Sequence, residues 1–398
     1  MKRRRIAGRV GYAVLAFFIL PLPSWAVYDP GGAVRKGQRW AISTGLRTGY
    51  DDNTTTATTD KHASWFNGMD INGRYSYPTD TTFVSVSTGA RGTFFIDRPG
   101  SDFDFNDSFD FTLAHTFSPR LNLDITDALR FGQEPQLEEN NSVLRRTGNY
   151  VNNGVNVGLS YQLTTKWFMD LGFNHDLWSY EDSTLGNVLD RQAIGGGPSL
   201  RYRLTEKTSL SLNYRFTRTA YDTSPRSANT HAVTAGISQS FTRRWSISLD
   251  AGGELRQEDN EYSHRTLTSP YANFTTSYMI SETARLFGGV RYSFQETDIS
   301  TFFESYTVMG YGGFHWDFAR HFSSDTNLNL VNNQLSDPLT AGTANVSEWT
   351  YLVTESINWN LRENINLSLD YTFTRLDSEV ALRGYRRNVV TLKASYLF

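Results

Sequence analysis

Read backwards from its last residue, the chain ends in strict alternation. Phe398, Tyr396, Ala394, Leu392 and Val390 make an apolar face, while Leu397, Ser395, Lys393 and Thr391 make a mostly polar one. Period-two alternation predicts a strand with one greasy and one wet side. The same pattern recurs along the chain. Phe103, Phe105, Phe109, Phe111, Leu113 and Phe117 oppose Asp104, Asn106, Ser108, Asp110 and Thr112. Val151, Val155, Val157, Leu159, Tyr161 and Leu163 oppose Asn152, Gly154, Asn156, Gly158, Ser160 and Gln162. Trp245, Ile247, Leu249 and Ala251 oppose Ser246, Ser248 and Asp250.

Turn-forming triplets punctuate these segments at 78–80, 118–120, 164–166, 205–207, 242–244, 281–283, 319–321 and 362–364. Turn residues between two alternating runs predict tight hairpins. Longer polar connections fall between them, at 51–63, 97–102, 132–148, 179–190, 219–230, 256–267, 295–304, 331–347 and 375–384. Eight short and nine long connections predict eighteen strands, with every tight turn on one side. Sixteen is the alternative count, because 188–204 and 266–280 alternate poorly. Short turns on one side and long loops on the other are the layout of an all-β, transmembrane, antiparallel up-and-down barrel. Trp40, Trp167, Trp245, Trp316 and Trp359 fall near the tight-turn ends, and Trp65, Trp178 and Trp349 near the long-loop ends. Two bands of amphipathic rings suit two membrane interfaces. Glu355 and Asp127 interrupt the apolar register in mid-strand. Each is read as a β-bulge or local misregister, with a subunit interface as the alternative.

Composition narrows this picture. Hydrophobic residues are only 39% of the chain, yet aromatics reach 14%, which suits one apolar face per strand with aromatic girdles. Lys2, Arg3, Arg4, Arg5 and Arg9 precede an apolar run from Tyr12 to Leu22, and Ser24-Trp25-Ala26 fits a small-x-small cleavage site. Residues 1–26 therefore read as a signal peptide, 27–38 as a short periplasmic segment and 39–398 as the barrel. Cleavage removes five positive charges and no negative one, taking the net charge from −3 to −8. Such a chain has no basic excess for nucleic acid. It contains no cysteine, hence no disulfide framework.

Chemistry is sparse. The seven histidines lack metal-ligand spacing, and no cofactor or metal site is expected. Asp51-Asp52 and His175-Asp176 at strand tops are weak candidates for a barrel enzyme, and Asp51, Asp52 and Asn53 for a calcium loop. Gly195-Gly196-Gly197 lacks the lysine of a phosphate loop and is read as admitting a bulge or a bulky neighbour. The polar face carries more. Arg47, Arg74 and Arg91 point inward from the first three strands as a cationic wall, with Arg215, Arg285 and Arg291 further round. Asp70, Asp110 and Asp124 share the inward register, as do Asp170, Asp250, Asp325 and Asp370. Charges that line a lumen set its selectivity, and a mixed set predicts no strong preference. The third long connection carries Glu134, Glu138 and Glu139, candidates for a constriction if it folds inward.

The stretch Gly45-Leu46-Arg47-Thr48-Gly49-Tyr50-Asp51-Asp52-Asn53 resembles the opening of the β-barrel porin 2 family of bacterial outer-membrane proteins. The final strand, with Tyr396 and Phe398, resembles the C-terminal signature that outer-membrane assembly machinery reads. These resemblances imply an integral outer-membrane barrel of a Gram-negative cell, embedded in outer-membrane lipid. They imply a channel for small solutes or a saccharide, or a conduit for an exported exopolysaccharide with periplasmic export components as partners. A non-conducting structural or surface-binding barrel is the alternative, and a barrel enzyme the third reading.

Overall fold

Alternation becomes structure in eighteen strands. In the computed structural model, residues 39–133, 149–223, 226–260, 263–296, 302–338 and 346–398 are described. The first six strands are β1 (Trp40–Asp51), β2 (Ser64–Pro78), β3 (Thr82–Phe95), β4 (Phe103–Ser118), β5 (Leu121–Gly132) and β6 (Tyr150–Gln162). Then come β7 (Trp167–Tyr180), β8 (Arg191–Arg203), β9 (Thr208–Tyr221), β10 (Ala228–Ser240), β11 (Trp245–Asn260) and β12 (Ser263–Met279). The last are β13 (Ala284–Gln295), β14 (Phe302–Ala319), β15 (Phe322–Pro338), β16 (Val346–Arg362), β17 (Ile365–Ser378) and β18 (Tyr385–Leu397). A single helix among the described residues, α1 (Ser183–Leu189), joins β7 to β8.

Every strand pairs antiparallel with its chain neighbours, and β1 pairs with β18 from Ser43↔Leu397 to Asp51↔Val389. The sheet is therefore closed. Closure leaves no edge to face hydrocarbon, the condition for a sheet to span a membrane. All eight tight turns lie where the sequence places them. Five share one device: the hydroxyls of Ser118, Thr164, Thr205, Thr242 and Ser281 each accept a hydrogen bond from the backbone N–H two residues on, which pins the turn locally. The poorly alternating stretches are β8 and β12, so the count is eighteen and not sixteen. Gly195–Gly197 lie in β8 with no room for side chains: a Cβ at Gly197 would come within 2.0 Å of Tyr214 O.

The outer face is apolar. Leu46, Ile71, Leu212, Val290 and Leu392 are exposed there, flanked by the exposed rings of Trp40, Trp167, Trp245, Trp316 and Trp359 below and Trp65 and Trp349 above. A closed barrel with such a belt is an outer-membrane protein. Trp178 departs from the expected band. It is buried on the inward face of β7, in the register of Asn174 and Asp176. The expected loop at 256–267 is mostly strand, because β11 and β12 pair continuously from Trp245↔Tyr278 to Asn260↔Ser263.

Neither Glu355 nor Asp127 sits at a bulge, since the ladders run without register shift through both. Each carboxylate faces outward and is solvated by its neighbours. Glu355 accepts from Ser324 Oγ at 2.6 Å and from Thr326 Oγ1, and Asp127 accepts from Asn153 Nδ2 at 2.6 Å. Local hydroxyl and amide donors make an acid tolerable at this depth, whereas a basic side chain carries the larger penalty in a bilayer. Glu355→Arg is expected to destabilise the barrel by about 2–4 kcal/mol, read by urea titration in bilayers. A change below about 0.5 kcal/mol would place Glu355 outside the hydrocarbon.

Candidate functional site

Inward parity on eighteen strands gathers the polar side chains into one lumen, with a cavity of about 1310 Å³. On one wall Asp70 of β2 is the centre. Arg91 of β3 stands directly across the ladder from it, with Nε 3.0 Å from Oδ1. Arg47 of β1 brings its Nε to 3.3 Å of the same oxygen. Lys393 of β18, paired with Arg47 across the closing seam, puts Nζ 2.8 Å from Oδ2. Glycines make room for this crowding. A Cβ at Gly68 would meet the Arg47 guanidinium at 2.8 Å, and one at Gly45 would meet Lys393 Cε at 2.9 Å. Arg47 is further fixed by donating to Gly92 O and Thr93 Oγ1.

The expected cationic wall is thus Arg47, Arg91 and Lys393 around one carboxylate. Arg74 is inward on β2 but nearer the tight turn, opposite Ala41 and Ser87. Lys393 was not singled out in the sequence because β1 and β18 become neighbours only when the barrel closes.

Seven strands on from β2, Arg215 of β9 reaches Glu254 of β11 at 3.4 Å. Glu254 also accepts the backbone N–H of Phe294 at 2.9 Å. That N–H is left over because the β12–β13 ladder stops at Ala272↔Tyr292. Arg291 of β13 lies beside Met309, and Arg285 covers the Phe287 ring near the tight turns. The inward acids are mostly spoken for. Asp110 pairs with Arg130, Asp170 with Ser160 and Arg201, Asp250 with Asn213 and Asp325 with His315. Asp370 is held by Ser356 and Ser368. Asp124 is inward on β5, opposite Ala114 and Gly158.

Glu134, Glu138 and Glu139 lie outside the described residues. The connection that covers the inner wall among the described residues is the one with α1. Asp182 caps the helix by accepting from Thr184 N and Leu185 N, and Leu185, Val188 and Leu189 pack on Tyr150, Trp178 and Tyr180. Tyr150 and Trp178 stack at 5.4 Å. Buried Arg226, from the β9–β10 connection, donates to Val188 O at 2.6 Å and covers the Tyr221 ring.

Glu296, just beyond β13, ties these connections together. It accepts from Tyr221 Oη at 2.9 Å and pairs with Arg256 at 2.7 Å. Burial pushes its carboxyl upward, but Arg256, Arg191 and the Tyr221 hydroxyl outweigh this and hold it down at about 2. A carboxyl depressed in the folded state adds stability above its ordinary value near 4.5 and loses it as pH falls towards 2. Protection of the α1 amides in hydrogen exchange is therefore expected to hold at pH 5 and to fall between about 4.5 and 2. Glu296→Gln should abolish that dependence, and an unchanged acid profile in that variant would remove Glu296 from the anchor.

The strand-top candidates resolve into structural roles. His175 points outward and Asp176 inward, as adjacent strand residues must, so they share no site. Asp51 is buried and bound by Arg387 through Nε at 3.0 Å and Nη2 at 2.6 Å. Asp52 accepts from Asn388 N at 2.7 Å, and Asn53 donates to Arg386 O at 3.0 Å. The carboxylates are engaged by the last strand, which replaces the calcium reading with a clasp across the seam.

No family model matches the chain, and no curated protein matches it. Among solved structures, OccAB4 of Acinetobacter baumannii is 10% identical with a TM-score of 0.47, covering 93% of this chain and 100% of its own. OccK9 (OpdG) of Pseudomonas aeruginosa is 12% identical with a TM-score of 0.48, covering 90% and 98%. A BenF-like porin of Pseudomonas fluorescens is 9% identical with a TM-score of 0.47, covering 90% and 99%. At this distance they add nothing to the strand pairing, on which the fold rests.

Proposed function

We propose that the barrel is a passive outer-membrane channel for hydrophilic solutes, with a saccharide or an exported exopolysaccharide as cargo. The observation that carries this reading is the polar cavity of about 1310 Å³ inside a closed eighteen-stranded wall. Barrels of sixteen to eighteen strands are wide enough to leave an aqueous path. Neutral hydrogen-bonding side chains such as Asn72, Asn106, Asn152, Thr354 and Thr391 line it between the charges. Such a surface can exchange partners with sugar hydroxyls without binding any one strongly.

Membership of the β-barrel porin 2 family, suggested by Gly45–Asn53, belongs to this reading. So do signal cleavage after Ala26, insertion by the outer-membrane assembly machinery and contact with periplasmic export components. The test is single-channel recording of the refolded mature chain, with neutral and acidic saccharides added. Stepwise conductance with sugar-dependent interruptions is expected. A silent bilayer with correctly folded protein would favour the non-conducting barrel.

A further inference from the structure

The charges of the lumen are mixed in sequence but not in exposure. Asp70 is 4% exposed while Arg91 and Lys393, which share it, are 51% and 26% exposed. Across the barrel Glu254 is 3% exposed and its partner Arg215 is 42%. Asp170 at 7% and Arg201 at 29% repeat the arrangement. In each group the acid lies at the base of the wall and the cation covers it. Asp110, at 41%, and Asp325, at 43%, are exceptions.

We infer that the lumen selects solutes bearing an anionic group, a carboxylate or a phosphate, and holds that group between Arg91 and Lys393. This rests on the channel reading and narrows it to acidic cargo. One carboxylate cannot neutralise both Arg91 and Lys393, so this pair keeps a positive charge in excess. Asp70 engages Arg91 through Nε and Lys393 through a single Nζ contact, which leaves the planar end of the guanidinium to meet a bidentate anion. Both cations are anchored by the same buried carboxylate, so little side-chain freedom is lost when an anion arrives. Asn106, directly across the ladder from Arg91, adds a neutral polar neighbour. The same geometry changes the expectation drawn from the sequence, where acids and bases counted equally. Solute meets the exposed layer first, and around Asp70 that layer is positive.

The test uses the full mature chain in planar bilayers. In a potassium chloride gradient the wild type is expected to favour chloride. D-Glucuronate and inorganic phosphate should each reduce the current at concentrations where D-glucose does not. The double variant Arg91→Gln/Lys393→Gln should weaken the glucuronate block roughly tenfold and move the reversal potential towards cations. Arg74→Gln removes an inward charge outside this group and should leave the block unchanged. Block by glucuronate alone assigns the site to carboxylates, and block by phosphate alone to phosphates. Equal effects of glucose and glucuronate, or an Arg74→Gln effect equal to the double variant's, would overturn the inference while leaving the channel intact. A folded barrel without conductance would overturn both.

Discussion

Asp51→Ala is expected to lower the stability of the folded barrel by about 3–5 kcal/mol, the usual cost of leaving one member of a buried ion pair uncompensated. Asp51 is 1% exposed and Arg387 is 17%. Their contacts bridge β1 and β18 at the long-loop end, the one junction whose partners come from opposite ends of the sequence. Removing the carboxylate strands a guanidinium that no turn or hairpin can reposition. The measurement is urea unfolding in bilayers, supported by the heat at which the barrel ceases to migrate as a compact species. The double variant Asp51→Ala/Arg387→Ala should recover part of the loss, because it removes the unpaired charge as well. Asp52→Ala, which gives up contacts from Asn388 only, should cost about 1 kcal/mol. If Asp51→Ala and Asp52→Ala proved equally mild, the clasp would be ornamental.

Deleting Phe398 is expected to reduce the outer-membrane yield at least tenfold while leaving export intact. Its backbone N–H donates to Ile42 O at 2.9 Å, and its exposed ring meets Tyr396 edge-on at 4.8 Å. The residue therefore completes the seam at the tight-turn end and presents an aromatic pair to the outside. Phe398→Asp should be at least as severe, because it also sets a charge among lipid-facing rings. Phe398→Trp should retain most of the yield. Cell fractionation, with the processed chain followed in periplasm and membrane, reads the result. Normal membrane yield of the deletion would show that neither seam nor recognition needs this residue.

The strand count and the inward register of Arg47, Asp70 and Arg91 were legible because both follow from a period of two. The errors arose where that period gives no information. Trp178 was placed by its height along the strand, while its parity with Asn174 and Asp176 put it inside. Arg256 and Glu258 read as loop because a strand that rises above the membrane no longer needs an apolar face. The partners of Asp51 could not be read at all, since Arg387 lies 336 residues away. Lys393 was hidden for the same reason. Its alternation was plain, but its neighbour Arg47 belongs to the first strand. The selectivity of the lumen was invisible at the level of charge signs, because it depends on which charges lie beneath which.

The pairing of the first strand with the last also sets a timetable. Every other junction joins strands close in sequence and can form as a hairpin within microseconds. The final junction must bring together ends some 340 residues apart, at a chain-entropy cost of roughly 5 kcal/mol beyond a constant. It cannot begin until Tyr385–Leu397 has been synthesised and exported. Until then β1, with Gly45 and Gly49 as sparse cover, is an open template for any passing strand. A chain built this way is exposed to aggregation for as long as it is incomplete. Its survival in transit depends on the speed with which the last thirteen residues of strand arrive.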